Sequence, residues 1–282
     1  MIDSEGNVQF INGTDNDGIQ FMRDAGLLNE TDQLILSEYM KLPPIDGEED
    51  DNVNKVIGTD TRVQIRNNSL GTAPYHSILR LSVKKGNRIF RGTGFLVKEN
   101  VVVTAGHCFC WTENDKIVAA DEIGVTQILS ASQNRTAEIT GGRIDPRRFY
   151  GQTKENDWAL LKIGSSLGDG QRIMPVMNGD HLSRGSQYTC EIAGYPSRAQ
   201  GRITADLWAA QGIIQIPSTG SSEILMHEIS ASSGQSGAPV FMNYNGIQTA
   251  IGIHLGYTHD RSQGKNYCRK IDDALYQEIS RY

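Results

Sequence analysis

Three short segments carry side chains that together suit nucleophilic catalysis. In VVVTAGHC, residues 101–108, an apolar β-branched run ends in a turn of small residues that presents His107 at a strand end. In ENDWALLKI, residues 155–163, Asp157 stands just before a run apolar enough to bury its start, so its carboxylate needs a partner. In SASSGQSGAPVF, residues 230–241, small residues make a tight loop around Ser236 ahead of another apolar run. Gly234 and Gly237 let the backbone approach a substrate closely, and the amides of Gly234 and Ser236 are candidates to face a developing oxyanion. A hydroxyl nucleophile, an imidazole base and a carboxylate that orients the base are the parts such chemistry needs. Taken singly, each has an ordinary explanation: a structural histidine, a turn-capping aspartate, a chance Gly-x-Ser-Gly. Their occurrence together, each beside a predicted strand, is what points to catalysis.

The elements that must position these groups are short and rich in β-branched residues. From Val56 onward the runs HSILRLSV, IFRGTGFLV, VVVTAG, WALLKI, YTCEIAGY, APVFM and TAIGIHLGY are separated by Gly, Asn and Asp. Such spacing predicts an all-β barrel or sandwich. The end, DDALYQEISRY, opens with acidic residues suited to a helix N-terminus and spaces Ala274, Leu275 and Ile279 on one helical face. Residues 1–55 differ: GIQFMRDAGLLNETDQLILSEYM has helical spacing and is followed by LPP and the acidic run DGEEDD. A small helical element and an exposed acidic linker are expected there.

Composition removes several function classes. A formal net charge of −6 over 282 residues offers no attraction to phosphate backbones or anionic lipid, so neither nucleic acid nor membrane is an expected partner. No apolar run approaches the roughly 18 residues of a membrane helix. The start, MIDSEGNVQF, has neither a basic nor an apolar region of a secretory signal, so none is expected at this end. The four cysteines, Cys108, Cys110, Cys190 and Cys268, form no CxxC pair of a zinc site, and no metal is expected. Disulfides and buried free thiols both remain open for them.

TAGHC, NDWALL and GQSGAPVF resemble the triad motifs of chymotrypsin-like serine proteases, specifically the glutamyl endopeptidase (V8-like) branch. The chain order His, Asp, Ser is that of the chymotrypsin class. VIGTDTRVQI at 56–65 resembles the mature N-terminus of those enzymes, CEIAGYP the strand opening their second barrel, and GIHLGY their pocket strand with its histidine. The resemblance covers residues 56–282 and leaves 1–55 in the place of a propeptide. It implies two six-stranded antiparallel β-barrels and a C-terminal helix, with barrel one at about 56–165, barrel two at about 185–271 and the helix at 272–282.

It also implies roles. Ser236 would be the nucleophile, His107 the general base and then acid, Asp157 the group that orients the imidazole, and the amides of Gly234 and Ser236 the oxyanion hole. No cofactor or metal enters that scheme. His254 stands where the branch recognises a substrate glutamate, with Ser230, Ser232 and a free α-amino group at Val56 as further carboxylate partners. Two departures are visible: Ala231 stands where the branch often has a hydroxyl, and Gly92 where disulfide-bearing relatives have a partner for Cys108. The implied partner is a protein or peptide, with an activating protease as a second. The resemblance suggests secretion, while the missing signal leaves a cytoplasmic location open. A serine protease of different pocket preference, or an inactive protease-like binding module, is the alternative.

Overall fold

The computed structural model describes residues 7–8, 56–86, 88–113, 116–145, 147, 153–220, 222–257 and 265–282. The expected helical element and acidic linker of the first 55 residues lie outside the described residues, apart from Asn7–Val8. The strands run in chain order β1 (Asn7–Val8), β2 (Val63–Gln64), β3 (Ile78–Lys85), β4 (Arg88–Lys98), β5 (Val101–Thr104), β6 (Cys110–Glu113) and β7 (Lys116–Ala119). They continue as β8 (Glu122–Ser130), β9 (Gln133–Ile144), β10 (Ala159–Ile163), β11 (Gln187–Gly194), β12 (Arg198–Ala199), β13 (Arg202–Ile203) and β14 (Trp208–Gln215). The last four are β15 (Ile224–His227), β16 (Pro239–Tyr244), β17 (Ile247–Tyr257) and β18 (Asn266–Lys270). Each predicted apolar run falls on a strand or ends one.

Two sheets close on themselves. The order β9-β10-β5-β4-β3-β8 is sealed by β8–β9 pairing, and β11-β16-β17-β18-β15-β14 by β11–β14 pairing, giving two six-stranded antiparallel barrels. Closure leaves few exposed strand edges. Strand β1 adds to β9, and β2 adds to β14 through Gln64 opposite Trp208 and Val63 opposite Ala209. The segment just after Val56, expected with the first barrel, is thus tied to the second.

Period-two alternation sorts the apolar residues into three clusters. Leu79, Leu81, Leu96, Val102, Phe109, Val125 and Leu161 fill the first barrel. Ile192, Ala210, Ile214, Leu225, Val240 and Ile251 fill the second. The opposite faces of the same strands, with Val101 and Val103 beside Val102 and Ala250 beside Ile251, meet in a third cluster drawn from both barrels. Strands at this seam are buried on both faces, which is why VVVTAG and TAIGIHLGY read as nearly continuous apolar runs.

The helix Asp273–Arg281 completes the seam. Asp272 caps it, its side chain accepting from Leu275 N at 3.0 Å. Leu275 and Ile279 are buried against the seam, joined by Tyr276 and Tyr282. Ala274, expected on that face, is exposed instead, because the helix packs along the row Leu275, Ile279, Tyr282. All four cysteines are buried free thiols. A Cβ added to Gly92 would lie 3.0 Å from Cys108 Sγ, so residue 92 does neighbour that thiol, and a hydrogen stands where a second sulfur would be needed. No helix among the described residues is long and apolar enough to cross a membrane.

Candidate active site

The seam between the barrels brings the three predicted groups to one place. β5 runs apolar to Thr104 and then turns at Ala105 into a short 3-10 turn, Gly106–Cys108, that lifts His107 out of the sheet. Asp157 lies two residues before β10, which pairs with β5 through Ala159 opposite Thr104. That register sets the two side chains on neighbouring strand ends. Asp157 Oδ2 lies 2.7 Å from His107 Nδ1, and Asp157 Oδ1 accepts from the His107 backbone N–H at 2.7 Å. Two short bonds from one carboxylate fix both the ring and the main chain of His107 and assign the proton to Nδ1.

Burial acts to lower the His107 pKa, but the adjacent Asp157 carboxylate and the Cys108 sulfur outweigh it and hold the imidazole well above its ordinary value of 6.5. His107 Nε2, the nitrogen turned away from Asp157, is buried and has no hydrogen-bond partner among the described residues. The main chain of Ser236 is anchored against the turn that carries His107. The Ser236 carbonyl accepts from Thr93 N at 2.9 Å and from the Sγ of Cys108, the residue after His107, at 3.6 Å. Ser236 Oγ donates to Leu255 O at 3.5 Å, and no hydrogen bond joins the hydroxyl to Nε2. Long or open bonds of this kind are usual before substrate arrives.

The loop that carries Ser236 is held by backbone and by Thr93. Gly234 has φ of +93° and Gly237 +84°, and a Cβ on them would come within 2.5 Å of Tyr195 O and 2.1 Å of Thr93 O, respectively. The Ser233 carbonyl accepts from Ser197 N at 2.7 Å. In a planar trans peptide the following N–H points the opposite way, so the Gly234 N–H is turned away from Ser197. Thr93, fully buried in β4, donates through Oγ1 to Gly234 O at 2.8 Å and accepts there from Tyr195 N at 3.0 Å. A residue of the first barrel thereby clamps the loop of the second.

The expected pocket residues line up less uniformly. His254 on β17 is fully buried and pairs with the end of the loop, its N–H bonded to Ala238 O at 2.8 Å and its carbonyl to Gly237 N at 2.8 Å. Its ring lies 5.4 Å from that of His227, and burial together with His227 and His107 presses its pKa well below the ordinary value. Ser230 is buried with its Oγ accepting from Thr61 Oγ1 at 3.4 Å, and Ser232 is half-buried and donates to Arg198 O at 2.9 Å. Ser232 Oγ also accepts from Arg62 Nη1, so both lie against the segment that follows Val56. Ala231 is buried without any polar group to offer.

Sequence reasoning missed Thr93 and Arg62 as residues that hold this site. For Thr93 a signal existed: Gly92 and Gly94 flank it inside a strand, where glycine marks a close approach of backbones. Arg62 carried none beyond its charge.

The sequence model of the family described as Trypsin matches residues 67–276. The chain belongs to the trypsin family. Among relatives of this trypsin-family chain, an extracellular metalloprotease of Bacillus subtilis (strain 168) is 28% identical over 216 residues, which cover 71% of the chain and 62% of the relative. A glutamyl endopeptidase of Bacillus licheniformis is 26% identical over 195 residues, covering 67% of the chain and 55% of the relative. One of Staphylococcus aureus (strain MRSA252) is 21% identical over 236 residues, 82% and 61% respectively. The chain thus spans between 55% and 62% of the length of these curated relatives.

Among solved structures, a Glu endopeptidase in complex with MPD superposes with a TM-score of 0.65 at 22% identity, covering 80% of this chain and 98% of that one. A thermostable serine protease AL20 from an extremophilic microorganism gives 0.58 at 16% identity, covering 72% and 94%. These likenesses establish the two-barrel chymotrypsin fold. Among the described residues, no group of three or more His, Cys, Asp or Glu converges.

Proposed function

We propose that the protein is a serine endopeptidase that cleaves peptide bonds through an acyl-enzyme. The single observation that carries this reading is the His107–Asp157 clamp, two 2.7 Å bonds, set beside Ser236 on a glycine-turned loop. On substrate binding the Ser236 hydroxyl exchanges Leu255 O for His107 Nε2, which takes its proton as Oγ attacks the carbonyl. Asp157 keeps the proton on Nδ1 and stabilises the imidazolium formed. The developing oxyanion is received by the N–H groups of Gly234 and Ser236. His107 returns its proton to the leaving amine, and water repeats the cycle on the acyl-enzyme.

The proposed preference is for Glu before the scissile bond. It is supported by the position of His254 next to the nucleophile loop and by the names of the Bacillus licheniformis and Staphylococcus relatives. With its pKa pressed down, His254 meets a carboxylate as a neutral donor, and the arriving charge favours its protonation. Ser230 and Ser232 add hydroxyls. A new α-amino group at Val56 completes the set in this reading, with residues 1–55 as a prosegment removed by the enzyme or an activating protease. That Thr61 and Arg62 touch Ser230 and Ser232 supports a path from the new terminus to the pocket.

The test is labelling by a fluorophosphonate together with peptide-library cleavage read by mass spectrometry. Wild type should label at Ser236 and cut after Glu, and Ser236→Ala should lose on the order of 10^6-fold in kcat while remaining folded. Labelling at another serine, or turnover by Ser236→Ala near the wild-type rate, refutes the assignment.

A further inference from the structure

Arg62 lies outside the three catalytic positions, yet its guanidinium is built into the loop that carries the nucleophile. The residue is only 2% exposed. One edge of its fork holds Asp60, Nε to Oδ1 at 2.9 Å and Nη2 to Oδ2 at 2.7 Å. The remaining nitrogen, Nη1, donates to Gln235 Oε1 at 3.1 Å and to Ser232 Oγ. Gln235 Oε1 also accepts from Ser232 N at 3.0 Å, and Gln235 N donates to Ser232 O at 3.0 Å. Arg62 therefore ties together the two residues that bracket Ser233 and Gly234, whose shared peptide supplies the proposed oxyanion donor. Asp60 is itself tethered, accepting from Gln200 N at 3.1 Å, and Gln200 Nε2 returns a bond to Arg62 O at 3.0 Å.

The turn needs such a clamp for a physical reason. Glycine populates φ on both sides of zero at similar cost, so Gly234 at +93° does not by itself choose which way its peptide faces. Burying a charged guanidinium is costly unless every nitrogen is used, and apolar packing of equal volume commonly stabilises as well. What a point-directed fork adds is orientation.

We infer that Arg62 is a positioning residue that locks the 232–235 turn with the Gly234 N–H facing the oxyanion, and makes that geometry conditional on seating of the 60–62 segment. The inference rests on the peptidase reading above. It gives the segment behind Val56 a second task, separate from any contact with a substrate carboxylate.

The experiment compares wild type, Arg62→Ala, Arg62→Lys and the control Gln64→Ala. Gln64 belongs to the same segment but is exposed and bonded to Asp206. The full chain is incubated until its activity is constant, and sites are counted with a fluorophosphonate. Each protein is then measured with one peptide substrate, with the peptidyl aldehyde of the same sequence, which forms a tetrahedral oxyanion on Ser236, and with the cleaved peptide as a product inhibitor. In Arg62→Ala, kcat and aldehyde affinity should fall together by about 10^2-fold, the loss typical of one oxyanion donor, while KM and product affinity stay put. Guanidinium at a non-denaturing concentration should restore part of the loss, Arg62→Lys should fall in between, and Gln64→Ala should match wild type. Wild-type aldehyde affinity in Arg62→Ala, or an equal loss of product and aldehyde affinity, overturns the inference. If Arg62→Ala does not fold, Arg62→Lys decides by the same criteria. An active wild type with equally active Arg62 variants sinks this inference alone. A wild type that neither cleaves nor labels at Ser236 sinks the peptidase reading and this inference with it.

Discussion

Replacing Thr93 by valine tests whether the first barrel holds the nucleophile loop of the second. The substitution nearly conserves volume and removes one hydroxyl. That hydroxyl serves two buried backbone groups, donating to Gly234 O at 2.8 Å and accepting from Tyr195 N at 3.0 Å. Each group left buried without its partner costs about 1–3 kcal/mol, so the pair should cost about 2–6 kcal/mol. For a domain of this size roughly 2–4 °C of Tm accompanies each kcal/mol, which predicts a fall of about 4–24 °C. Catalysis should suffer as well, because Gly234 O belongs to the residue whose N–H is the proposed oxyanion donor. A displacement of about 1 Å there is worth about 10^2-fold in kcat. The assay is urea unfolding followed by tryptophan fluorescence, with kcat and KM on one peptide. Thr93→Ser keeps the hydroxyl and should retain most of both properties. A Thr93→Val protein with the wild-type urea midpoint and kcat would show that the hydroxyl does not clamp the loop, and the reasoning from these two bonds would fail.

Gly234→Ala should lower kcat by about 10^2–10^3-fold, since its Cβ would sit 2.5 Å from Tyr195 O and 2.9 Å from Ser197 N; unchanged kinetics would show that the loop yields freely. In a pH profile of kcat/KM, activity should rise as His107 loses its proton, and because its pKa is raised, the midpoint should lie above 6.5. Asp157→Asn should shift that midpoint downward and lower kcat by about 10^4-fold, and a midpoint that does not move would contradict the pairing. His254→Ala should reduce kcat/KM at least ~10-fold more for Glu than for Gln substrates, and equal losses would make His254 a structural residue.

Much of this protein is legible along the chain because its strands carry local signals. Alternation of apolar residues and the glycine-rich turns mark the barrel strands, and Asp272 followed by Leu275 and Ile279 marks the last helix. His107, Asp157 and Ser236 stand out for the same reason: each sits at the end of, or just before, an apolar run whose direction in the fold is set by backbone pairing. Strand register then does the rest, Ala159 opposite Thr104 bringing Asp157 to His107. The two-barrel closure came from resemblance, since alternation by itself allows a sandwich equally well.

Contacts between residues far apart in sequence carry no such signal. That Val63–Gln64 pairs with β14 rather than with the first barrel depends on which sheet edge is open after closure, a property of the assembled barrels. Whether Cys108 had a partner for a bridge depended on which residue faces it, and Gly92 does. Arg62 and Thr93 read as a surface charge and a strand residue until folding brings them 173 and 141 residues along the chain, onto Gln235 and Gly234. Local sequence determines which backbone conformations and side chains are available, because those preferences act over a few residues. Which of them meet at the seam, and at what angle, is decided only when two barrels bury their outer faces against each other.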